Sequence, residues 1–449
     1  MRKAVKFGGS SLASAEQFKK VKDIIQADKS RRYVIPSAPG KRDGGDTKVT
    51  DLLYACYDRT VQGQDASNIR QRIFYRYQEI AEGLGIQFEL DSVLEEIFAN
   101  FAKGFGRDYA ASRGEYLNGR IMAKYLGFPF VDAAEVILFD ENGRFLPEET
   151  NAALENRLSG LSRAVIPGFY GAKPDGTIKT FSRGGSDITG SLVARAVKAD
   201  VYENWTDVSG FLLADPRIVD DPVSIGTITY QELHELARMG ACVLHEDAIY
   251  PVKDAGIPIN IKNTNRPQDI GTRIVSSTGA KPGYEITGIA GKKGYCALNI
   301  RKVLLHGGAD AFDQKVPDVL EEKDIPYESI PTSAGCVSVL VPQGKFLEKE
   351  HAVFSGLQRS VQPDSLSLES DLALVAIGGR GSNAKCDIAG NVFSALEEAN
   401  IHIRTFDQGM ENLAMVIGVY DSDFEAAVRV IYNKFIRQDY GGAPLAMNL

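Results

Sequence analysis

Two Gly-Gly pairs constrain this chain more than any other feature. One lies in Lys6-Phe7-Gly8-Gly9-Ser10-Ser11 and the other in Phe181-Ser182-Arg183-Gly184-Gly185-Ser186-Asp187. Each stands where an apolar, strand-like run gives way to polar residues and then a helical pattern. A Gly-Gly pair lets backbone N–H groups close on an anion with no Cβ in the way. Lys6 precedes one pair and Arg183 the other, and the hydroxyls of Ser10 and Ser186 follow. Either segment alone reads equally well as a strand end with a tight turn. Together they point to a phosphate-handling site assembled from distant parts of one chain.

The surrounding pattern supplies the scaffold. Strand signals at 4–7, 33–37, 129–132, 165–166, 201–206 and 258–262 alternate with helical spacing at 15–25, 50–56, 61–111, 116–126 and 188–197. Such alternation predicts an α/β fold with an open, mainly parallel sheet and helices on both faces. Ligands of such sheets bind at the carboxyl ends of the strands, where both Gly-Gly loops fall. Ser112-Arg113-Gly114-Glu115 is expected to lead into the helix at 116–126, and Asp187 reads as a helix N-cap or as a charge organising Lys6 or Mg²⁺. The Ser/Gly/Pro-rich stretch 276–283 is the best linker. Beyond it, short strands and single helices recur twice, over 296–366 and 371–438, as two small α/β modules of the split βαβ kind.

Composition narrows the function. The 449 residues carry a net charge of −8, which disfavours nucleic acid or an anionic membrane as the main partner. Five scattered cysteines with no C-x-x-C argue for a reducing compartment and against a disulfide framework. No signal peptide, transit peptide or long apolar span is read, so a cytoplasmic enzyme is expected, with no further domain after residue 440.

Other motifs carry less. No Walker A pattern exists, so kinase chemistry would need another scaffold. The loop 379–384 fits G-x-G-x-x-A, but its module is too short for a dinucleotide domain. His234-Glu235 and His245-Glu246 lack a second histidine four residues on, and no cluster with metal-ligand spacing is present. Trp205, in an apolar strand, is most simply core.

Taken in order, the glycine segments, Ser112-Arg113-Gly114-Glu115, Trp205-Thr206-Asp207-Val208-Ser209-Gly210, Asp215-Pro216-Arg217 and Ile259-Asn260-Ile261-Lys262-Asn263-Thr264 resemble the aspartokinases over nearly the whole length. The resemblance implies an amino-acid-kinase catalytic domain over 1–285 and two ferredoxin-like ACT regulatory domains over 286–366 and 367–449. It implies transfer of the ATP γ-phosphoryl group to L-aspartate with Mg²⁺, the first step of lysine, threonine and methionine synthesis.

It also implies residue roles. Lys6 and Asp187 are catalytic, with Gly8, Gly9, Ser10, Gly184, Gly185 and Ser186 on the phosphates. Glu115 meets the α-ammonium of aspartate and Arg183 its α-carboxylate, while Ser37, Thr50 and Phe169 line the pocket. Thr206, Asp207, Leu212 and Arg217 contact the nucleotide. Leu212 stands where the family often has tyrosine, Cys242 where it often has lysine, and Ser10 where it often has threonine. An amino-acid effector, lysine or threonine, is expected near Glu328, Thr332 and Ser333, with a homodimer or dimer of dimers formed through the ACT domains. Two competing readings are another carboxylate kinase of the same fold and a catalytically inactive amino-acid-binding regulatory protein.

Overall fold

The computed structural model describes residues 1–182, 184–240, 248–277, 284–302, 309–328, 332–333, 336–379, 388–408 and 414–436; side chains are not described at 309–314 and 332–333. It divides into two compact units. The first comprises Met1–Phe211, Ser224–Tyr230 and Val243–Gly279; the second comprises Leu212–Val223, Gln231–Cys242 and Ala280–Leu449.

The first unit is built on a seven-stranded sheet. Its order is Ala164–Val165, Arg31–Pro36, Lys3–Phe7, Val201–Thr206, Ile259–Asn263, Thr272–Val275 and Thr227–Thr229. All pairings are parallel except that of Ile259–Asn263 with Thr272–Val275. Side chains alternate across the central strand. Val5 and Phe7 join a core with Trp205 of the neighbouring strand and with Phe18, Leu53, Tyr77 and Ile97 from helices of the first 126 residues. Ala4 and Lys6 face the other way, where the helix Gly185–Ala196 packs. Helices therefore cover both faces. Trp205 is fully buried, stacks on Phe7 at 5.9 Å and donates its indole N–H to Glu203 at 2.9 Å. Burying an aromatic side chain of this kind contributes about 2–3 kcal/mol.

Local chemistry sets the element ends. The helix Ala15–Ala27 starts where the Ser14 hydroxyl accepts from the Gln17 N–H, and it buries Phe18, Val21, Ile24 and Ile25 on one stripe. The helix expected at 116–126 instead runs Arg107–Leu126, so Ser112 to Glu115 lie inside it rather than ahead of it. Nearly all its residues from Tyr109 to Ala123 are buried, and that packing outweighs the helix-weakening effect of Gly114. Asp187 is likewise not the N-cap. Gly184, left-handed at φ 72°, precedes the helix, and Asp187 sits in its first turn. Of the strand expected at 129–132, only a bridge from Phe130 to Val165 forms.

The second unit contains one six-stranded antiparallel sheet, in the order Thr332–Ser333, Cys336–Pro342, Ile286–Arg301, Ser365–Gly379, Ala414–Tyr420 and Thr405–Gln408. The two modules read from the sequence share it, because the long strands Ile286–Arg301 and Ser365–Gly379 pair along nearly their whole length. Helices Ala309–Glu322, Gln343–Ser360, Ile388–Glu398 and Phe424–Ile436 complete this unit. Among the described residues no helix is long and apolar enough to cross a membrane.

Candidate active site

The register of the parallel strands creates the site. Phe7 is level with Pro36 and Trp205, and Thr206 with Asn263. Gly8, Ser37, Asp207 and Thr264 therefore leave the sheet along one edge, the carboxyl ends of four strands. The Gly8 N–H bonds to the Trp205 carbonyl at 3.0 Å, and the Ser37 N–H bonds to the Phe7 carbonyl at 3.0 Å. The first glycine pair thus turns into the short helix Gly9–Leu12 with its backbone tied on both sides.

The two Gly-Gly segments converge. The ammonium of Lys6, a buried residue, lies 2.5 Å from the Asp187 carboxylate. Asn204, level with Lys6 on the adjacent strand, donates its amide to the same Asp187 oxygen at 2.8 Å. The Tyr202 hydroxyl donates to the Asp187 carbonyl at 3.2 Å. The close packing needs glycine: a Cβ on Gly185 would lie 2.7 Å from the Phe169 ring, and one on Gly168 would lie 2.7 Å from Ser186. Phe169 itself is held at φ 82°, a strained angle for a bulky residue, with its N–H on the Thr189 hydroxyl at 3.1 Å.

Beside the first glycine pair is a cavity of about 460 Å³. Gly9, Ser10, Thr50, Glu115 and Asp207 line it, so five of the site residues expected from the sequence share one space. Ala38 to Lys41, Asp43 and Lys48 line it as well. Glu115 is buried, one carboxylate oxygen has no hydrogen-bond partner among the described residues, and burial pushes its pKa up to about 8. The Ala38 N–H and the charges of Arg113 and Lys6 oppose that rise without cancelling it. A neutral carboxyl facing a polar cavity is primed to meet a cation.

Other expected residues lie elsewhere. Leu212 and Arg217 belong to the second unit, where the exposed Arg217 guanidinium grips Asp215 at 2.6 Å. Glu328, also in the second unit, accepts from the Tyr295 hydroxyl at 2.9 Å, and its other oxygen lies 3.6 Å from the Arg238 guanidinium. Thr332 and Ser333 form a short strand against Val337 and Cys336. Arg183, Cys242, His245, Glu246 and the loop 380–384 lie outside the described residues.

Sequence reasoning overlooked Asn204, Lys41 and Lys48. For the lysines the available signal was position, since they fall on the loop leaving the carboxyl end of the second strand. Asn204 follows Glu203 in the strand Val201–Thr206, and only the register reveals its target. Among the described residues no group of three or more His, Cys, Asp or Glu side chains could hold a metal on its own.

Comparison with known proteins gives a consistent picture. Residues 1–263 match the amino acid kinase family and residues 375–435 match the ACT domain. Aspartokinase 3 of Bacillus subtilis is 34% identical over 449 residues, covering 96% of this chain and 98% of that protein. Lysine-sensitive aspartokinase 3 of Escherichia coli is 27% identical, covering 93% and 96%. The crystal structure of Clostridium acetobutylicum aspartate kinase superposes with a TM-score of 0.89 at 47% identity, covering 96% and 99%. Escherichia coli aspartokinase III in complex with aspartate and ADP shares the fold, with a TM-score of 0.71 at 24% identity and coverage of 97% and 99%.

Proposed function

Because this chain belongs to the aspartokinase family and moves the γ-phosphoryl group of ATP onto the β-carboxylate of L-aspartate, we propose that the Lys6–Asp187 pair and the cavity lined by Gly9 and Glu115 are where that transfer occurs. The carrying observation is the 2.5 Å contact that joins the two glycine-bearing segments around one ammonium group.

The chemistry asks little of proton transfer. A side-chain carboxylate has a pKa of about 4, so the β-carboxylate of aspartate is already a nucleophile at neutral pH. Its oxygen attacks the γ-phosphorus, the bond to the β,γ-bridging oxygen breaks, and ADP leaves with that electron pair. The product is the acyl phosphate 4-phospho-L-aspartate. The barrier is electrostatic, an anion approaching a triphosphate, and it is lowered by alignment and by positive charge on the γ-phosphoryl oxygens. Lys6 supplies the charge, Asp187 and Asn204 aim it, Gly8 turns the backbone off the strand with its own N–H held by Trp205, and the N–H groups of Gly9, Gly184 and Gly185 with the Ser10 and Ser186 hydroxyls cradle the phosphates. Glu115 and Thr50 line the cavity, where Glu115 takes the α-ammonium of aspartate; in this reading Arg183 takes its α-carboxylate, and Ser37 and Phe169 complete the pocket with Thr50.

Mg²⁺ fits this arrangement. Kinase magnesium is held by one or two carboxylates plus phosphates rather than by an all-protein cage. Asp207, which lines the cavity at the end of the strand Val201–Thr206, is the group that would hold it. When bound, it neutralises charge on the phosphate oxygens. Thr206 and Asp207 are the nucleotide contacts of the first unit in this reading.

The catalytic domain is assigned to 1–285 and the ACT domains to 286–366 and 367–449. Lysine is the proposed effector, with Glu328 meeting its ammonium near Thr332 and Ser333; the support is a half-buried carboxylate already oriented by Tyr295 and Arg238. A cytoplasmic homodimer joined through the ACT sheet completes the proposal, supported by the 40% exposure of Phe406 on the outer strand Thr405–Gln408. The test is ADP release with aspartate, glutamate, N-acetylglutamate and carbamate, with and without lysine and threonine. Turnover confined to aspartate and reduced by lysine supports the reading; turnover with another acid at least as fast contradicts it.

A further inference from the structure

The cavity has two walls that come from different parts of the chain. One is the loop leaving the strand Arg31–Pro36, including Ala38, Gly40 and Asp43; the other is the helix Arg107–Leu126, which presents Glu115. They touch closely: a Cβ on Gly114 would lie 2.8 Å from the Ala38 Cβ. Behind both walls runs the helix Ser67–Gly83, and two neighbouring residues on it reach out to them. The Arg76 guanidinium donates to the Gly40 carbonyl at 2.5 Å and to the Asp46 carboxylate, so it holds both ends of the loop segment 40–46. The Tyr77 hydroxyl donates to the Gly114 carbonyl at 2.9 Å, one residue before Glu115. Arg76 is 4% exposed and Tyr77 is fully buried, and neither lines the substrate cavity.

We propose that Arg76 and Tyr77 are positioning residues that set the width of the aspartate pocket by fastening its two walls to one helix. The inference rests on the reading that this cavity takes aspartate. An arginine suits the task because its planar fork can hold a carbonyl and a carboxylate at fixed relative positions; a lysine ammonium is a point charge without that fork. Removing the guanidinium leaves the Gly40 carbonyl without its buried partner and breaks the link to Asp46, which keeps only its local bonds to Arg42 and Thr47, so the Gly40 end of the loop is no longer tied to the helix. The phosphate loop keeps its own ties, Gly8 to Trp205 and Ser11 to Gly8, both at 3.0 Å, and its bond from the Gly40 N–H to the Gly9 carbonyl at 2.8 Å does not involve Arg76. Loss of the clamp therefore falls on the acceptor side of the site rather than on the nucleotide side.

Steady-state kinetics on the full-length protein test this. Arg76→Met is expected to raise the aspartate KM about tenfold or more, with an ATP KM within about twofold, since a displacement of about 1 Å in positioning groups can cost up to a hundredfold. Arg76→Lys should recover part of that loss. Asp46→Asn, which leaves Arg76 in place, should raise the aspartate KM in the same direction, and Tyr77→Phe should raise it several-fold. KM does not depend on the fraction of folded enzyme, so a purely structural role would lower the melting temperature and the yield of active protein without this split. Equal rises in both KM values, or an unchanged aspartate KM in the Arg76 variants while Glu115→Gln raises it, would overturn the clamp. An unchanged aspartate KM in Glu115→Gln as well would overturn the pocket assignment with it.

Discussion

The Lys6 ammonium rests 2.5 Å from the Asp187 carboxylate, and Asn204 donates to the same oxygen from the strand position level with Lys6. The ammonium is thus held between a carboxylate and the glycine turn: a Cβ on Gly8 would lie 3.7 Å from Nζ. A cation fixed before the substrate arrives needs no reorganisation as charge develops on the transferring group. The pair is also largely shielded from solvent, which strengthens it relative to a surface pair.

Asn204→Leu keeps the branched shape of the side chain and removes the donor to Asp187. The expected result is a kcat lower by about tenfold, the effect of losing roughly 1.4 kcal/mol of transition-state positioning, with both KM values nearly unchanged. Initial-rate kinetics with each substrate varied would check it; an effect on KM alone would assign Asn204 to substrate binding instead.

Glu115 gives the pH prediction. Burial raises its pKa to about 8, well above the ordinary carboxylate value. Between about pH 4.5 and 8 the folded protein then holds a proton that the unfolded chain has lost, so this group makes folding stability fall as pH rises through that window and level off above it. Glu115→Gln should remove that fall, which melting curves from pH 5 to 9 would reveal. Pairing with the substrate ammonium favours the carboxylate, so aspartate binding near pH 7 should release roughly one proton. Calorimetry in buffers of different ionisation enthalpy measures that release, and Glu115→Gln should abolish it.

Gly40→Ala tests the approach of the two loops. A Cβ there would lie 2.5 Å from the Gly9 carbonyl carbon, and the Gly40 N–H donates to the Gly9 oxygen at 2.8 Å. The backbone must separate to admit a methyl group, so stability should drop by about 1–3 kcal/mol and kcat/KM should fall for both substrates. Urea denaturation and kinetics check the two halves of this expectation.

Much of this architecture was legible in the sequence because it is local. The alternation of strand and helix spacing gave the parallel sheet, and a Gly-Gly pair after an apolar strand marked the site edge. Two strands escaped notice because they are too short to show a period. Thr272–Val275 has four residues and lies against the polar stretch read as a linker, while Thr227–Thr229 has three. What could not be read is what depends on register or on long-range contact. Asn204 matters only because its strand is level with Lys6. Arg76 looks like one more charged residue on a polar helix until Gly40 and Asp46 are seen beside it. Lys41 and Lys48 read as solvated loop cations until the cavity places them along one wall.

In the second unit, Glu328→Gln should weaken inhibition by lysine. The neutral amide cannot form the charge-assisted bond to an effector ammonium, and a shift of about tenfold in the inhibitory concentration is the expected size. Inhibition curves at fixed aspartate would show it; an unshifted curve would move the effector site away from Glu328.

The most direct measurement is aspartate-dependent ADP formation by Lys6→Ala. Loss of a preorganised cation at the transferring phosphoryl group predicts a kcat lower by about a hundredfold or more, with the aspartate KM changed by no more than a few-fold. Turnover close to that of the unsubstituted enzyme would contradict the account.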